Sequence, residues 1–321
     1  MQKKKYFCGM NRSERHTSVL KWLLAAAAYG WLAWSLYRYD DYESMFAGFR
    51  QAGYVEWACL ALCVMLMPLN IHLEALRWHT LVSTLLPLSV RDAERQVYGG
   101  MLGAFLTPYR AGELPARVYM TGNKKVWKEA LLAGVVGGCV MTLTIIVFGI
   151  VPAVYSLVVS ELNALWERAA IIIPCVLAVF AAALWCWRKR SQAQAFLSVL
   201  PRLAGWTVLR YICFSVQLAL MLYFTGIHLS LTELLTAIPV YYLLVTLTPN
   251  MPVADAGIRG SWAVLVFSRY SDQVPMIALA AVLLWLVNTV IPVFVGLCLR
   301  SNSGGQKQDD VCIARQDAQN P

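Results

Sequence analysis

Two arginines and a glutamate, close together in the first half of the chain, have the clearest capacity for chemistry. Arg110, Glu113 and Arg117 lie beside Pro108 and Gly112, residue types that hold a chain in a turn. Two guanidinium groups next to a new helix start would form a pocket for an anion, with Glu113 balancing one arginine and holding it in place. The alternative is an ordinary interfacial loop whose charged ends reach water.

A second acid and arginine recur late in the chain. Asp255 and Arg259 flank Gly257, after Pro249 and Pro252. We predict that Pro249, Pro252 and Gly257 shape a turn, and that Asp255 and Arg259 pair across it. Arg259 would then be placed to meet a lipid headgroup.

Arg77 is the third candidate. Glu74 precedes it by three positions, so the two side chains would share one face of a helix. Arg77 is either part of an anion site or a positively charged anchor at a membrane boundary, with Trp78 in the interfacial aromatic belt.

Six apolar stretches must position these side chains. Hydrophobic residues make up 59% of the 321-residue chain and charged residues only 14%, which is outside the range of soluble proteins. Most of the stretches approach the ~20 residues that cross a bilayer as a helix. They cover residues 22–37, 57–73, 130–156, 169–187, 207–226 and 275–299.

Basic residues fall on alternate sides of these stretches. The segment before the first stretch, the tail and two alternate connections hold 22 of the 27 Lys and Arg residues. Basic loops stay in the cytoplasm, so we expect a multi-pass protein of a bacterial inner membrane with both termini cytoplasmic. The predicted layout is a basic tail at 1–21, one membrane domain at 22–299 and a disordered tail at 300–321. The net charge of +9 would face anionic lipid and not nucleic acid.

Two further segments are too apolar for water, yet Pro and Gly interrupt them. Residues 90–125 and 230–270 are predicted to be re-entrant helical hairpins, since broken helices at membrane depth need protein or a water-filled cavity around them. The predicted fold is therefore an all-α polytopic membrane protein with about six transmembrane helices and two hairpins. Residues 22–156 and 169–299 would be inverted repeats, each with three spans and one hairpin. The alternative is two unrelated hairpins.

Three blocks resemble a known family. They are ALRW at 75–78, GAFLTPYRAGELPARVYM at 103–120 and TPNMPVADAGIRGS at 248–261. Together they resemble the membrane domain of lysylphosphatidylglycerol synthases and the related stand-alone flippase-like proteins. The synthases also have a soluble aminoacyl-transfer domain without a counterpart in these residues, so the resemblance implies lipid translocation and not synthesis.

The leading hypothesis is a flippase-like transporter for a phospholipid or polyprenyl-phosphate headgroup. Arg110 and Arg117 would meet phosphate from the cytoplasmic leaflet and Arg259 from the outer one. One alternative is an enzyme acting on a lipid-linked substrate with Glu113 as base, and another is a non-catalytic partner of an envelope-building enzyme. We expect no cofactor, no metal site and no nucleic-acid partner. Membrane lipids with anionic headgroups are the expected partners, and a homo-oligomer is possible.

Overall fold

The computed structural model describes residues 34, 37, 43, 53–107, 110–159, 196–248 and 254–297. The predicted tails, the predicted span 169–187 and nearly all of the predicted span 22–37 lie outside these residues, as do Pro108, Pro249 and Pro252. Within them the chain is helical, without a strand. The helices are α1 (Tyr54–Val82), α2 (Val90–Leu106), α3 (Glu113–Tyr119), α4 (Trp127–Val159), α5 (Leu200–Phe224), α6 (Leu231–Leu247), α7 (Asp255–Phe267) and α8 (Val274–Trp285). A π-helix (Leu286–Val290) extends α8.

Four helices of the described part are long and apolar enough to cross a membrane. They cover Tyr54–Val82, Lys124–Val154, Leu200–Phe224 and Val274–Leu297. Each overlaps one of the four predicted spans that the structure describes. The shortest has 24 residues, or about 36 Å at 1.5 Å per residue, which exceeds ~30 Å of hydrocarbon. These helices indicate a membrane-embedded protein.

Two shorter helix pairs occupy the predicted hairpin segments. α2 and α6, the first helix of each pair, both have 17 residues, or about 25 Å. Each begins at a serine cap. The Ser89 hydroxyl accepts a hydrogen bond from the Asp92 N–H at 3.1 Å, and the Ser230 hydroxyl accepts one from the Glu233 N–H at 3.4 Å. Such caps satisfy backbone donors that a helix start leaves free.

Each pair also ends its first helix in the same way. Thr107 and Thr248 follow α2 and α6 in extended conformations, and each hydroxyl donates to a carbonyl four residues back. Each hydroxyl also accepts a bond from beyond the turn. Thr107 accepts from the Gly112 N–H at 2.7 Å, and Thr248 accepts from the Trp262 indole at 2.8 Å. The two helix pairs are therefore built alike.

The long helices bring these pairs together around a shared core. α1 packs along α5, and the buried side chains of Leu218, Met221 and Leu222 lie in the largest apolar cluster of the described residues. Gly149 on α4 lies so close to α6 that an added Cβ would be 2.9 Å from Leu243. Gly296 lies equally close to α2, where an added Cβ would be 3.2 Å from the Tyr98 carbonyl. α4 thus packs on α6, and the helix that carries Gly296 touches α2, so each short helix contacts a long helix far from it in the sequence.

Candidate functional site

Glu74 on α1 is the centre of a buried cluster of charged residues. Its carboxylate accepts from Arg77 one helical turn away, as the spacing predicts. It also accepts from Arg117 and from Arg210, each at 2.8 Å. Three arginines from α1, α3 and α5 therefore converge on one carboxylate inside the helical bundle.

All three side-chain nitrogens of Arg77 donate hydrogen bonds to other protein groups. Its Nε donates to the Thr207 hydroxyl at 2.9 Å, and its two terminal nitrogens donate to Glu74 and to the Gly137 carbonyl. Only 4% of the residue is exposed. Arg77 therefore holds α1, α4 and α5 together and orients Glu74, and it does not have the exposure of a boundary anchor.

The turn between α2 and α3 supplies the other members of the cluster. The Glu113 carboxylate accepts from Arg110 at 3.1 Å and from Arg117 at 2.5 Å, one oxygen to each arginine. Both oxygens are thus occupied by guanidinium groups, which disfavours Glu113 as a free base. The predicted turn at Gly112 is present, and helix resumes at Glu113. Because α3 has only seven residues, the arginines and not the helix start supply the positive charge.

Arg110 has an unusual backbone conformation. Its φ of 56° is the only positive value among the described residues other than glycine. The left-handed region costs an ordinary L-residue roughly 1–2 kcal/mol, and such strain is often found at functional sites. Among the described residues the guanidinium has one hydrogen-bond partner, Glu113, which accepts from Nε, so neither terminal nitrogen has a partner there.

Arg117 is as deeply buried as Arg77, with 4% of the residue exposed. Its guanidinium carbon lies 5.6 Å from the centre of the Trp78 ring, a cation–π distance. Its Nε is buried without a hydrogen-bond partner in the described part of the chain. Gly100 makes room for the side chain, since a Cβ there would be 2.5 Å from the arginine Cγ.

Arg210 joins the cluster to three side-chain amides. Its Nε donates to the Asn70 carbonyl oxygen at 3.0 Å. Asn70, Gln217 and Asn288 then bond to one another at 3.1–3.4 Å. Gln217 and Asn288 therefore make interhelical hydrogen bonds. Asn288 lies in the π-helix, a local insertion that often marks functional positions.

The second helix pair, α6 and α7, contributes an acid and an arginine whose charges cancel. Arg259 donates to Asp255 at 2.9 Å, and the Trp285 indole donates to the other Asp255 oxygen at 2.9 Å. The predicted pairing is present, but its setting is different. Gly257 is the third residue of α7 and not part of a turn, so the pair lies one turn apart along a helix. The prediction for Gly257 is wrong because glycine fits a closely packed helix as well as a turn.

A small cavity connects the two hairpins. Its volume is about 30 Å³, and Arg110 from the first hairpin and Asp255 from the second both line it, together with Trp285, Asn288 and Thr289. A water occupies at least 10–15 Å³ of such volume, so the cavity has space for about two waters. The structure therefore places one predicted residue from each segment, Arg110 and Asp255, on the wall of one cavity. The rest of its lining is partly apolar and includes Met101, Ala104, Phe105 and Val293.

The cluster has more positive than negative charge. Arg77, Arg110, Arg117 and Arg210 face only Glu74 and Glu113 among the described residues. A buried surplus of charge is costly unless a ligand neutralises it. An arrangement with this surplus of guanidinium groups has the chemistry to receive an anion. The described residues include no group of His, Cys, Asp or Glu that could hold a metal ion.

Arg210 and Asn70 are the site residues that the sequence analysis missed. Arg210 counts among the basic residues of a cytoplasmic connection, yet it also lies inside the predicted stretch 207–226. An arginine within a predicted apolar stretch is the feature of the sequence that indicates an interior position for Arg210. The spacing predicts Glu74 only as a partner of Arg77 on one helix face and not as the centre of the cluster.

Comparison with known proteins gives no match. The family models, the curated proteins and the solved structures that were compared contain no match to it.

Proposed function

We propose that this protein is a flippase-like transporter that moves an anionic lipid headgroup, of a phospholipid or a polyprenyl phosphate, across a bacterial inner membrane. The observation that carries the proposal is the arginine surplus around Glu74 and Glu113, among helices long enough to cross a bilayer. Charged residues inside membrane proteins usually mark a pathway for a charged substrate. The resemblance to the membrane domain of lysylphosphatidylglycerol synthases supports the same role.

The physical task of such a protein is to shelter charge from hydrocarbon. Arg110 has two terminal nitrogens without a partner in the described residues, and its side chain is 31% exposed. Arg210 is 21% exposed and has one such nitrogen. These groups would receive phosphate oxygens while the acyl chains stay in lipid. Arg117 and Arg77 would keep Glu74 and the hairpin in place.

Two re-entrant hairpins would give access from opposite sides. Their 17-residue first helices are shorter than the hydrocarbon thickness, which suits segments that enter the membrane without crossing it. The shared serine caps, threonine ends and acid–arginine pairs support an internal repeat of 22–156 and 169–299. In an inverted repeat the first hairpin would open to the cytoplasm and the second to the outside, with both termini cytoplasmic. A lipid or ion gradient would drive net movement.

The 30 Å³ cavity between the hairpins is too small for a headgroup. We therefore propose that it is the closed point of the pathway, which widens when one hairpin moves away from the other. Asp255 and Arg259 would line the outer side of this point.

Lipid movement in vesicles tests the proposal. The purified chain is reconstituted with a fluorescent anionic lipid, and a membrane-impermeant quencher reports how much of that lipid reaches the outer leaflet. We expect movement with the wild type and a loss of at least about tenfold with the double variant Arg110→Gln, Arg210→Gln, because two charges that face the ligand are removed.

Arg95→Gln is the matched control. Arg95 is on α2 with a 66% exposed side chain and makes only a loose surface pair with Asp92. If lipid moves equally fast with the double variant and with this control, Arg110 and Arg210 are not part of the transport pathway. If lipid moves equally fast in vesicles without protein, the protein is not a transporter.

A further inference from the structure

We infer that the headgroup is a dianion, a phosphomonoester or a diphosphate, and not a singly charged phosphodiester or a headgroup with an amine. The inference rests on the proposed function and specifies its substrate class. It includes polyprenyl phosphates, polyprenyl diphosphates and phosphatidic acid, and it excludes phosphatidylglycerol, phosphatidylethanolamine and aminoacylated lipids as preferred substrates.

The charge of the cluster is the first argument. Four guanidinium groups face two carboxylates, so two positive charges have no partner charge in the described residues. Asp255 and Arg259 neutralise each other and leave this surplus unchanged. A phosphodiester would balance one charge, whereas a phosphomonoester carries about −1.5 to −2 at pH 7 and would balance both.

The four arginines act as one electrostatic group. Glu113 and Glu74 connect Arg110 to Arg117 and Arg117 to Arg210 through distances of 2.5–3.1 Å. Arg210 is also within electrostatic range of Glu113. A single headgroup would therefore experience the whole surplus and not that of one arginine.

The unused donors are the second argument. In the described part of the chain, two Arg110 terminal nitrogens and one Arg210 terminal nitrogen have no partner, and both side chains are partly exposed. A phosphomonoester presents three strong acceptor oxygens, and a phosphodiester presents two. The number of free donors suits the monoester.

The carboxylates give the third argument, against cationic groups. Both oxygens of Glu74 are taken by arginines, as are both oxygens of Glu113. Arg259 and Trp285 occupy the two oxygens of Asp255. Every carboxylate in the cluster and the cavity is already paired with at least one arginine, so an amine in the headgroup would have to compete with a guanidinium group for the same carboxylate and would add positive charge to the surplus.

Ligand-induced stabilisation of the full chain in detergent tests this inference. The probes are the six-carbon-chain forms of phosphatidic acid, phosphatidylglycerol and phosphatidylethanolamine, with inorganic phosphate as a soluble control. At pH 8 we expect phosphatidic acid to bind at least about tenfold tighter than phosphatidylglycerol, since it has one more charge near the surplus. The preference should shrink at pH 5, where the monoester loses its second charge and arginine does not change.

The variants connect the preference to the cluster. Arg110→Gln and Arg210→Gln should each reduce the preference for phosphatidic acid to about twofold or less, while Arg95→Gln keeps it. Both substitutions are at partly exposed side chains, so stability before ligand addition is measured first, and a well-folded Arg110→Gln protein alone is sufficient for the comparison.

Equal binding of the two anionic lipids would overturn the dianion inference and leave an anionic-lipid transporter standing. Tighter binding of phosphatidylethanolamine would overturn it as well. If inorganic phosphate binds as well as phosphatidic acid, the ligand is a soluble phosphate and the assignment to a lipid is wrong. The proposed transport is tested separately by the vesicle experiment and is refuted if no anionic lipid moves between the leaflets.

Discussion

Arg117 on α3 and Glu74 on α1 form a 2.8 Å ion pair, although 43 positions separate them in the chain. The pair fastens the short helix α3 to the long apolar helix α1. Because Glu74 also accepts from Arg77 and Arg210, one carboxylate positions three arginines. The stability of the protein and the geometry of the arginine cluster therefore depend on the same group.

Removal of the charge of Glu74 should be severely destabilising. Glu74→Gln leaves three arginines without their shared carboxylate, and an unpaired buried charge costs about 3–5 kcal/mol. Thermal unfolding in detergent measures the loss. The control is Glu94→Gln, because Glu94 is partly exposed and pairs with His72, so its effect should stay below about 1 kcal/mol. Similar losses in the two variants would contradict the central role of Glu74.

Gly100→Ala should disturb the site without removing a charge. The new Cβ would be 2.5 Å from the Arg117 Cγ and 2.7 Å from its Nε, and Arg117 is held by Glu74 and Glu113. We expect a loss of about 1–3 kcal/mol, as in other overpacked interiors. Gly138→Ala is the control, since no atom lies within 4 Å of its Cβ position. Alanine there should be neutral or stabilising by about 0.5–1 kcal/mol in thermal unfolding.

The positive φ of Arg110 predicts an inverted order of two substitutions. Arg110→Gly and Arg110→Ala both lose the pair with Glu113, but only glycine adopts a φ of 56° at no cost. The glycine variant should thus be more stable by about 1 kcal/mol. At the helical position Arg95 the order should reverse, with alanine more stable by about 1 kcal/mol. If the alanine variant is the more stable one at both positions, the backbone at Arg110 is not strained.

Opposite orientation of the hairpins can be measured by thiol labelling. Arg91→Cys and Thr232→Cys each place a cysteine two residues after a serine cap, at an exposed position, in a version without the nine native cysteines. If the repeat is inverted, an impermeant reagent on intact cells labels Thr232→Cys and reaches Arg91→Cys only after permeabilisation. Labelling of both from one side would refute the inverted arrangement.

The sequence predicts local features of this fold well. Apolar length locates the four described long helices, and the turn at Gly112 and the pair of Glu74 and Arg77 follow from residue types and spacing. These features depend on residues a few positions apart, which is the range that sequence patterns report.

The features that the sequence does not reveal are those made across the bundle. Arg210 is an interior residue because Glu74 and Asn70 face it from α1, more than 130 positions earlier. Asn288 joins Gln217 and Asn70 through a π-helix, whose extra residue changes the face on which later side chains lie. Neither depends on a nearby residue, so neither leaves a pattern of spacing.

The close approaches at Gly149 and Gly296 restrict how this molecule can change shape. A shift of α6 toward α4, or of α2 toward the helix that carries Gly296, would meet the neighbouring helix at once, because neither glycine has a side chain that could yield first. Each short helix is therefore expected to move together with the long helix that it touches.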